Sequence, residues 1–339
     1  MEYNTIIGLD IAKNVFHACK MGREGVVLER KRLYRSDVIS YFSNSPKSLV
    51  AMESCGGSSY WARELEKLGH TVRLISAQFV KPFVKSQKND ALDAEAICEA
   101  ALRPQMRFVS PNTITQQDLQ NIHRVRSRLV KSRTMLANQI RGLLMEYGIV
   151  IPQGISKLRT ALVEILCEND NSQRDLWRVT FSDLHEELAR LTSRIEFYDK
   201  KILELCRAHP IASRLSKLRG IGPITATAIV AAVANPYDFK NGRQFAAWLG
   251  LVPRQCSTGG KTKLLGITKR GDKYLRKLLV HGARIETRFA KKRENTWLLS
   301  LQGRAGFNKA AVALANKNAR HIWAVLALED KYKNKAMGI

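Results

Sequence analysis

The stretch of sequence that decides the fold is Thr5-Ile6-Ile7-Gly8-Leu9-Asp10-Ile11. Its run of β-branched and apolar residues predicts a buried β-strand that ends close to an aspartate. Residues 15–21 and 26–33 predict two further strands, with Gly22 and Gly25 at the turn between them. The chain is therefore predicted to begin as an antiparallel meander.

Strands and helices alternate over the next forty or so residues. The predicted strands are 48–52 and 72–75, and the predicted helices are 36–42 and 58–68. From there the chain is predicted to be helical to its end, beginning with a helix over residues 90–102 that Asn89 caps. This order of elements predicts an α/β domain followed by all-α segments.

Two long helices are predicted in the middle of the chain, over residues 115–147 and 181–205. The second carries an unbroken heptad seam, formed by Phe181, Leu184, Leu188, Leu191, Ile195, Tyr198, Ile202 and Leu205. A narrow apolar stripe on a polar helix is typical of a coiled coil. We favour a coiled coil that joins subunits, and an internal hairpin with the 115–147 helix is the alternative.

A glycine-containing turn follows Pro210. Leu218-Arg219-Gly220-Ile221-Gly222-Pro223 lies between two apolar helical stretches and resembles a helix-hairpin-helix. In that motif the glycines let backbone N–H groups approach a phosphate. An ordinary tight turn between core helices is the alternative.

The chain is strongly basic, with a formal net charge of +26 over 339 residues. The charge is unevenly distributed, because the first hundred residues hold 14 Lys+Arg against 12 Asp+Glu. Residues 254–293 hold 13 basic side chains against two acidic ones, and residues 119–159 hold eight against one. Blocks of one sign on this scale predict contact with nucleic-acid phosphates rather than a merely solvated surface.

Several other classes of protein and site are disfavoured. No apolar run approaches the roughly 20 residues that a membrane helix needs, and the start of the chain lacks the features of a signal peptide. We therefore expect a cytoplasmic protein without a membrane partner. The six cysteines and seven histidines form no metal-binding motif, so a bound metal would have carboxylate ligands and would be a hard cation such as Mg²⁺ or Mn²⁺.

Four acidic residues are candidates for such a site. Asp10 and Glu53 lie at the ends of predicted strands, and Asp90 and Asp93 share one side of the first turn of a helix. Because an unpaired buried charge is costly, the set predicts convergence on one or two divalent cations, as in ribonuclease-H-like nucleases. For each residue alone, an ion pair or a helix-terminal charge is the alternative.

Six ordered motifs identify a family. Gly8-Leu9-Asp10-Ile11-Ala12-Lys13, Ala51-Met52-Glu53-Ser54-Cys55-Gly56 and Asn89-Asp90-Ala91-Leu92-Asp93-Ala94 resemble the DEDD-type insertion-sequence transposases with a RuvC-like N-terminal domain. Gly220-Ile221-Gly222, residues 245–254, and the stretch from Ser257-Thr258-Gly259-Gly260 to Gly266-Ile267-Thr268-Lys269-Arg270-Gly271 resemble that family's C-terminal transposase domain. The resemblance covers essentially the whole chain.

The resemblance implies three domains. Residues 1–110 would form a RuvC-like, ribonuclease-H-like domain that carries the metal ligands Asp10, Glu53, Asp90 and Asp93. Residues 111–209 would form a helical, coiled-coil region for dimerisation and nucleic-acid binding. Residues 210–339 would form a helical transposase domain that carries a serine nucleophile and the helix-hairpin-helix-like turn.

The resemblance also implies a reaction and its partners. Members of this family act as RNA-guided recombinases, in which a noncoding bridge RNA pairs with donor and target DNA. Dimers join into tetramers, and the serine of one subunit works beside the Mg²⁺-dependent site of another. Alignment from Lys269 places the nucleophile at Ser257 and alignment from Pro253 places it at Thr258. We assign Ser257 because a primary hydroxyl is less hindered, and Thr258 is the alternative.

Nucleic-acid binding is assigned to basic residues from both blocks. The first set is Arg124, Arg126, Arg128, Lys131 and Arg133, and the second is Arg254, Lys261, Lys263, Lys269, Arg270, Lys273 and Arg276.

Three other functions compete with this interpretation. His281 and Arg284 fit the HxxR of tyrosine recombinases, with Tyr332 downstream, but that interpretation leaves the four carboxylates unexplained. A RuvC-like nuclease of the Holliday-junction type would need only the carboxylates and a basic groove. In a non-catalytic nucleic-acid-binding scaffold, the acidic residues would be structural.

Overall fold

The computed structural model describes residues 5–84, 90–167 and 175–336, and the side chains of these except at positions 90, 91, 175 and 328–336. The chain forms two compact units. The first comprises Met1–Gln116, Ala232–Phe245 and Leu326–Ile339, and the second comprises Gln117–Ala231 and Ala246–Val325. No described helix is long and apolar enough to cross a membrane.

A mixed six-stranded sheet forms the centre of the first unit. Its strands are β1 (Thr5–Asp10), β2 (Val15–Gly22), β3 (Val27–Tyr34), β4 (Leu49–Glu53), β5 (Thr71–Ile75) and β6 (Phe108–Val109). The strands lie in the order β3-β2-β1-β4-β5-β6. β1 to β3 form the predicted antiparallel meander, whereas β1, β4 and β5 are parallel. The short edge strand β6 lacks a sequence signal and was not predicted.

Helices cover both faces of this sheet. They are α1 (Val38–Ser43), α2 (Ser58–Lys67), α3 (Ala77–Val80) and α4 (Asp90–Leu102). α1 and α2 pack on the face that presents Ile7 and Leu9. α3 and α4 pack on the face that presents Ile6. Because β1 is buried on both faces, it has a continuous apolar sequence rather than an alternating one.

The remainder of the chain is mainly helical. Its helices are α5 (Ile114–Met145), α6 (Ile155–Cys167), α7 (Asp175–Ala208), α8 (Pro210–Leu215), α9 (Pro223–Ala232), α10 (Gly242–Trp248), α11 (Lys273–Arg288), α12 (Thr296–Ala305) and α13 (Phe307–Ala336). Single 3-10 turns lie at Lys81–Phe83 and Pro236–Asp238. An α/β region followed by a mainly helical region is the order that the sequence predicts.

Alternate residues of the heptad seam of α7 are buried inside the chain. Phe181 and Leu188 are buried in one core with Leu136 and Ile140 of α5 and with residues of α6. α5 and α7 are antiparallel, because Arg126 pairs with Asp199 while Tyr147, just beyond α5, contacts Trp177 and Phe181. The described structure therefore supports an internal hairpin between α5 and α7, and a coiled coil that joins subunits stays a prediction. The 3-4 spacing is the same in both arrangements, so the sequence pattern does not distinguish them.

A β-hairpin interrupts the helical region, where the sequence predicts only helices and a loop. β7 (Pro253–Thr258) pairs with β8 (Lys261–Ile267) in antiparallel register. Gly259 and Gly260 form the two-residue connection, with φ of 55° and 76°. Two consecutive positive φ values are typical of a type I′ turn. The expected all-helical C-terminal domain is therefore wrong at this point.

The turn between α8 and α9 packs closely against other helices. Gly220 has φ of +80°, and its carbonyl oxygen would lie 1.9 Å from a Cβ at Gly282 of α11. The Asn318 side chain of α13 donates a hydrogen bond to the carbonyl oxygen of Arg219 at 3.0 Å. These contacts explain Gly220 as part of a tight turn between core helices, the alternative to a helix-hairpin-helix.

A buried histidine joins three helices of the second unit. His123 of α5 lies 3.0 Å from the Tyr274 hydroxyl of α11 through Nδ1 and 3.0 Å from the Thr227 hydroxyl of α9 through Nε2. Burial, and next the positive charge of Arg126, lower the pKa of His123 from 6.5 to about 4. The folded chain therefore holds this imidazole neutral.

This joint predicts a stability that depends on pH. Between pH 6.5 and 4 the unfolded chain binds a proton at His123 that the folded chain does not, so the free energy of unfolding falls as the pH falls. We expect a loss of roughly 2 to 3 kcal/mol from this residue. Urea unfolding from pH 7.5 to 4.5 should show a flatter profile for His123→Gln than for the native chain. His321→Gln, at an exposed histidine, is the control and should retain the native slope.

Candidate active site

Two predicted metal ligands lie side by side at one edge of the sheet. Leu9 of β1 is opposite Met52 of β4, and Asp10 and Glu53 are the next residues of these parallel strands. Both strands are central and buried up to this point, and both carboxylates are half-buried. Because parallel strands end at the same edge of a sheet, the fold places the two acidic side chains together.

Helix α4 brings a third carboxylate to this edge through an unusually close approach to β1. A Cβ added to Gly8 would lie 2.3 Å from the carbonyl oxygen of Ala94 and 2.7 Å from Sγ of Cys98. No side chain larger than hydrogen fits between this strand and the helix. The contact places Asp93, on the first turn of α4, next to the strand ends.

Cys98 fixes the same contact through hydrogen bonds. The Gly8 N–H donates to Sγ of Cys98 at 2.9 Å, and the thiol donates to the carbonyl oxygen of Cys19 at 3.1 Å. Both cysteines are buried. The thiol therefore satisfies polar groups of two strands inside an apolar layer, which a longer or purely apolar side chain would not do.

The electrostatics of the edge indicate crowded negative charge. Burial, and next the charge of Asp93, raise the pKa of Glu53 above its ordinary value. The Cys55 thiol lies on the loop after β4. Its pKa is raised by desolvation and by the charges of Glu53 and Asp10. The charges of Asp10, Glu53 and Asp93 thus act on one small region, where a cation would relieve their repulsion.

The fourth predicted ligand, Asp90, begins α4, but its side chain lies outside the described residues. Among the side chains that the structure does describe, no three acidic, histidine or cysteine residues form a group that could hold a metal ion. Asp10, Glu53 and Asp93 are therefore close enough to interact electrostatically, but they do not form a complete metal site by themselves. Their oxygen-only chemistry fits a hard divalent cation such as Mg²⁺ or Mn²⁺.

The predicted nucleophile lies on the hairpin. Ser257 belongs to β7, opposite Thr262 of β8, and its side chain is exposed. Gln255 donates a hydrogen bond from Nε2 to Oγ of Ser257 at 2.8 Å. The serine is thus held on a strand rather than on the loop that the sequence predicts, and its hydroxyl proton remains available for donation.

The register of the hairpin separates the candidate hydroxyls from each other. Cross-strand partners share a face, so Ser257 lies with Thr262 while Thr258 lies with Lys261. Lys263 is opposite Cys256 and therefore projects on the face of Thr258. In this hairpin the two lysines adjoin Thr258 rather than Ser257.

Comparison with known proteins assigns the chain to a family. Residues 7–149 match the model for the N-terminal DEDD domain of IS110 transposases, described as "Transposase", and residues 212–297 match the model described as "Transposase IS116/IS110/IS902 family". The chain is 48% identical to a "Probable family 20 transposase" of Pseudomonas aeruginosa over 335 residues, which cover 96% of this chain and 98% of that protein. The chain belongs to the IS110/IS116 family of insertion-sequence transposases.

Other transposases of this family are similar over nearly the same length. The "Transposase for insertion sequence element IS1111A" of Coxiella burnetii is 42% identical, with 97% of this chain and 91% of that protein covered. The "Transposase for insertion sequence element IS1328" of Yersinia enterocolitica is also 42% identical, with coverage of 95% and 96%. The first matched region includes all four carboxylates, and the second includes Ser257 and Thr258.

Most of the predicted phosphate-binding side chains of the transposase are exposed, and the others are half-buried or bonded to other residues of the chain. The exposed ones are Arg124, Arg128, Lys131, Arg254, Lys261, Lys263, Lys269, Arg270 and Lys273. Arg126 pairs with Asp199, and Arg276 donates to the carbonyl oxygens of Leu249 and Arg270 at 3.1 and 2.8 Å. Arg133 is half-buried. Arg124, Arg128 and Lys131 recur at helical spacing and share one face of α5.

The recombinase alternative built on His281 and Arg284 gains no support. Both residues are exposed on α11. Arg284 donates a hydrogen bond to Oδ1 of Asn308 at 3.2 Å, and its guanidinium carbon lies 5.5 Å from the Phe307 ring centre. The side chain of Tyr332 lies outside the described residues.

Sequence reasoning missed three residues that shape the site, namely Gly8, Cys98 and Gln255. A glycine inside an otherwise β-branched strand was the available signal for Gly8, because such a glycine marks close approach of another backbone. Neither Cys98 nor Gln255 carries a comparable signal.

The close contact at Gly8 predicts a specific defect. Gly8→Ala should push α4 away from β1, lower the free energy of unfolding by about 1 to 3 kcal/mol and displace Asp93 from Glu53. We expect strand cleavage to fall further than the stability loss explains. Gly22→Ala is the control, because a Cβ there meets its nearest neighbour at 3.8 Å. Thermal unfolding and cleavage assays on both variants test this, and equal behaviour of the two would contradict the assigned role of Gly8.

Proposed function

We propose that this transposase cuts and rejoins DNA through a serine–DNA intermediate with the help of a divalent cation at Asp10, Glu53, Asp90 and Asp93. The observation that carries the proposal is the meeting of Asp10 and Glu53 at adjacent strand ends, where burial and next the charge of Asp93 raise the pKa of Glu53. The strand order β3-β2-β1-β4-β5 and the helices on both faces support a ribonuclease-H-like, RuvC-like assignment for this unit.

The four carboxylates would hold Mg²⁺, or Mn²⁺, by their oxygens. When bound, such a cation supplies charge stabilisation at phosphorus and lowers the pKa of a coordinated oxygen. The sheet and α4 would keep Asp10, Glu53 and Asp93 in place before the cation binds, so little reorganisation of these three would be needed during the reaction. Burial and the charge of Asp93 destabilise the ionised form of Glu53, so a cation that neutralises this charge would be bound favourably.

Ser257 is the proposed nucleophile. Its Oγ attacks phosphorus, an Oγ–P bond forms, and one P–O ester bond of the DNA strand breaks. The serine proton is transferred to solvent, and the departing DNA oxygen takes a proton in return and leaves as a hydroxyl group. Because one phosphodiester replaces another, the bond energy is kept for rejoining. Gln255 orients the hydroxyl by donating to its oxygen, which leaves a lone pair free for attack.

The partners follow from the family and from the charge. We propose a bridge RNA together with donor and target DNA as partners, dimers that join into a tetramer during strand exchange, and a cytoplasmic location. The exposed basic side chains of α5 and of the hairpin region support contact with nucleic-acid backbone. Leu184 and Leu191 of the heptad seam are only partly buried within the chain, so this seam is a candidate surface for the subunit contact.

The carboxylate site predicts a loss of reaction without a loss of fold. Asp10→Asn, Glu53→Gln and Asp93→Asn should each reduce DNA cleavage by at least about a hundredfold. Above pH 4.5 the raised pKa of Glu53 means that its ionised form destabilises the fold, so Glu53→Gln should melt at the same or a higher temperature in metal-free buffer.

Added Mg²⁺ should raise the melting temperature of the native chain and leave that of Glu53→Gln nearly unchanged. Glu24→Gln, at an exposed position in the β2–β3 turn, should behave as the native chain does. Normal cleavage by any one of the three variants would remove that residue from the site.

The serine mechanism predicts a covalent adduct. On a nicked target that cannot be rejoined, denaturation should leave DNA attached to the polypeptide, and peptide mapping should place it at Ser257. Ser257→Ala should bind DNA and form no adduct, whereas Thr258→Val should still form one. An adduct on Thr258 would move the nucleophile by one residue to the face that carries Lys261. Cleavage without an adduct would favour a junction nuclease, and an intact strand would favour a scaffold.

A further inference from the structure

A row of three polar side chains crosses the sheet next to the carboxylate site. Asp10 of β1 is opposite His17 of β2, and His17 is opposite Arg32 of β3. Because directly paired residues of antiparallel strands share a face, the three side chains lie on one side of the sheet. Neighbouring strands lie about 4.8 Å apart, so the row extends roughly 10 Å from the catalytic aspartate to the edge strand.

Helix α4 packs on this same face but covers a different row. Gly8, Cys19 and Arg30 form the parallel row two residues away. Gly8 and Cys19 contact Cys98 of α4, and Arg30 pairs with Glu95 of α4 at 2.6 Å.

Among the described residues, the row that contains Asp10 is accessible to solvent. Arg32 is exposed, and Asp10 and His17 are each half-buried. This row thus begins at the proposed reaction centre and runs to the edge strand β3.

The outer end of the row combines charge with an aromatic ring. Arg32 lies over Tyr34, with its guanidinium carbon 5.5 Å from the ring centre, and Tyr34 is 57% exposed. A guanidinium beside an exposed aromatic ring suits a nucleic-acid strand, since the first binds phosphate and the second offers a surface for a base. The opposite face differs, because Lys31 points there and lies 4.9 Å from the Tyr41 ring centre.

We infer that His17, Arg32 and Tyr34 form a track for the DNA strand whose scissile phosphate is held at Asp10, Glu53 and Asp93. The inference rests on the proposed function for the location of that phosphate. Arg32 would bind a neighbouring backbone phosphate, His17 would donate a hydrogen bond between the two, and Tyr34 would stack on a base. These are positioning residues for the strand and take no part in bond making.

The near-neutral charge of the first hundred residues supports a specific role for Arg32 in the track. These residues carry 14 Lys+Arg against 12 Asp+Glu, so their net charge is only +2. Two exposed cations, Arg30 and Arg32, lie on the same face as the carboxylates, and Arg30 is paired with Glu95 of α4. Arg32 lies in the row that contains Asp10. A strand that approached from another direction would meet Asp10 and Glu53 without a compensating charge from this row.

Site-specific photocrosslinking on the full-length chain tests the track. A benzophenone amino acid replaces Tyr34 in one protein and Lys31 in the control, which is the neighbouring exposed basic position of β3 on the other face. The probe is a radiolabelled oligonucleotide that carries one end of the insertion sequence, without divalent cation. We expect at least about tenfold more crosslinked DNA from position 34 than from position 31. Arg32→Gln should reduce the crosslink at position 34 several-fold, whereas Lys31→Gln should leave it unchanged.

The outcomes separate this inference from the proposed reaction. Equal crosslinking from both positions, or a crosslink at position 34 that Arg32→Gln does not reduce, would overturn the track. A crosslink that requires RNA in place of DNA would also overturn it. Because binding is measured without divalent cation, failure of the native chain to cleave DNA would count against the transposition chemistry alone. Unchanged thermal unfolding of Arg32→Gln excludes a folding defect as the cause of a lost crosslink.

Discussion

The contact between α4 and β1 at Gly8 is the constraint on which the candidate active site depends. Helix α4 carries two of the four carboxylates and reaches the ends of β1 and β4 by lying nearly against the backbone of β1. The space at Gly8 admits no Cβ, and the Cys98 thiol bridges Gly8 to Cys19 where an ordinary apolar residue would leave an N–H group unsatisfied. The positions of the acidic side chains are therefore determined by the packing of α4 on β1 at Gly8 and Cys98, and not by the carboxylates themselves.

The same arrangement stores electrostatic free energy. Burial, and next the charge of Asp93, raise the pKa of Glu53, and the strands and the closely packed helix keep the two carboxylates near each other although they repel. The large apolar core on both faces of the sheet outweighs this cost. Neutralisation by a cation would lower it, so cation binding and folding would reinforce each other.

Strands β1, β4 and β5 of the first unit could be predicted from sequence because each is largely buried and rich in apolar residues. The acidic residues could be predicted because charges at the ends of such strands are costly unless they are used. The β7–β8 hairpin was missed because all of β7 is exposed and polar, so it has no apolar pattern to detect. Gly259-Gly260 between β-compatible residues was the usable signal, since a two-residue Gly-Gly loop favours a type I′ turn.

The seam of α7 shows a different limit. A heptad pattern states that a partner helix exists but not which chain supplies it, and here α5 and α6 supply it. Close contacts such as that at Gly220 were likewise beyond sequence reasoning, because they depend on residues about 60 and 100 positions away in α11 and α13. A glycine in a turn is compatible with a phosphate or with a neighbouring backbone, and only the packing distinguishes them.

The uneven charge along the chain indicates that one part supplies affinity for nucleic acid and another part positions the scissile phosphate. Most of the net charge of +26 lies beyond the first hundred residues, where exposed basic side chains on α5 and near the hairpin can release many counterions on binding nucleic acid. Affinity of that kind is insensitive to the placement of any single phosphate. The acidic edge has the opposite requirement, because it would repel a backbone that is not aligned with it. A single row from Asp10 through His17 to Arg32 meets that requirement, because it would align the DNA strand with the carboxylates. The basic residues of the rest of the chain would supply most of the affinity for nucleic acid.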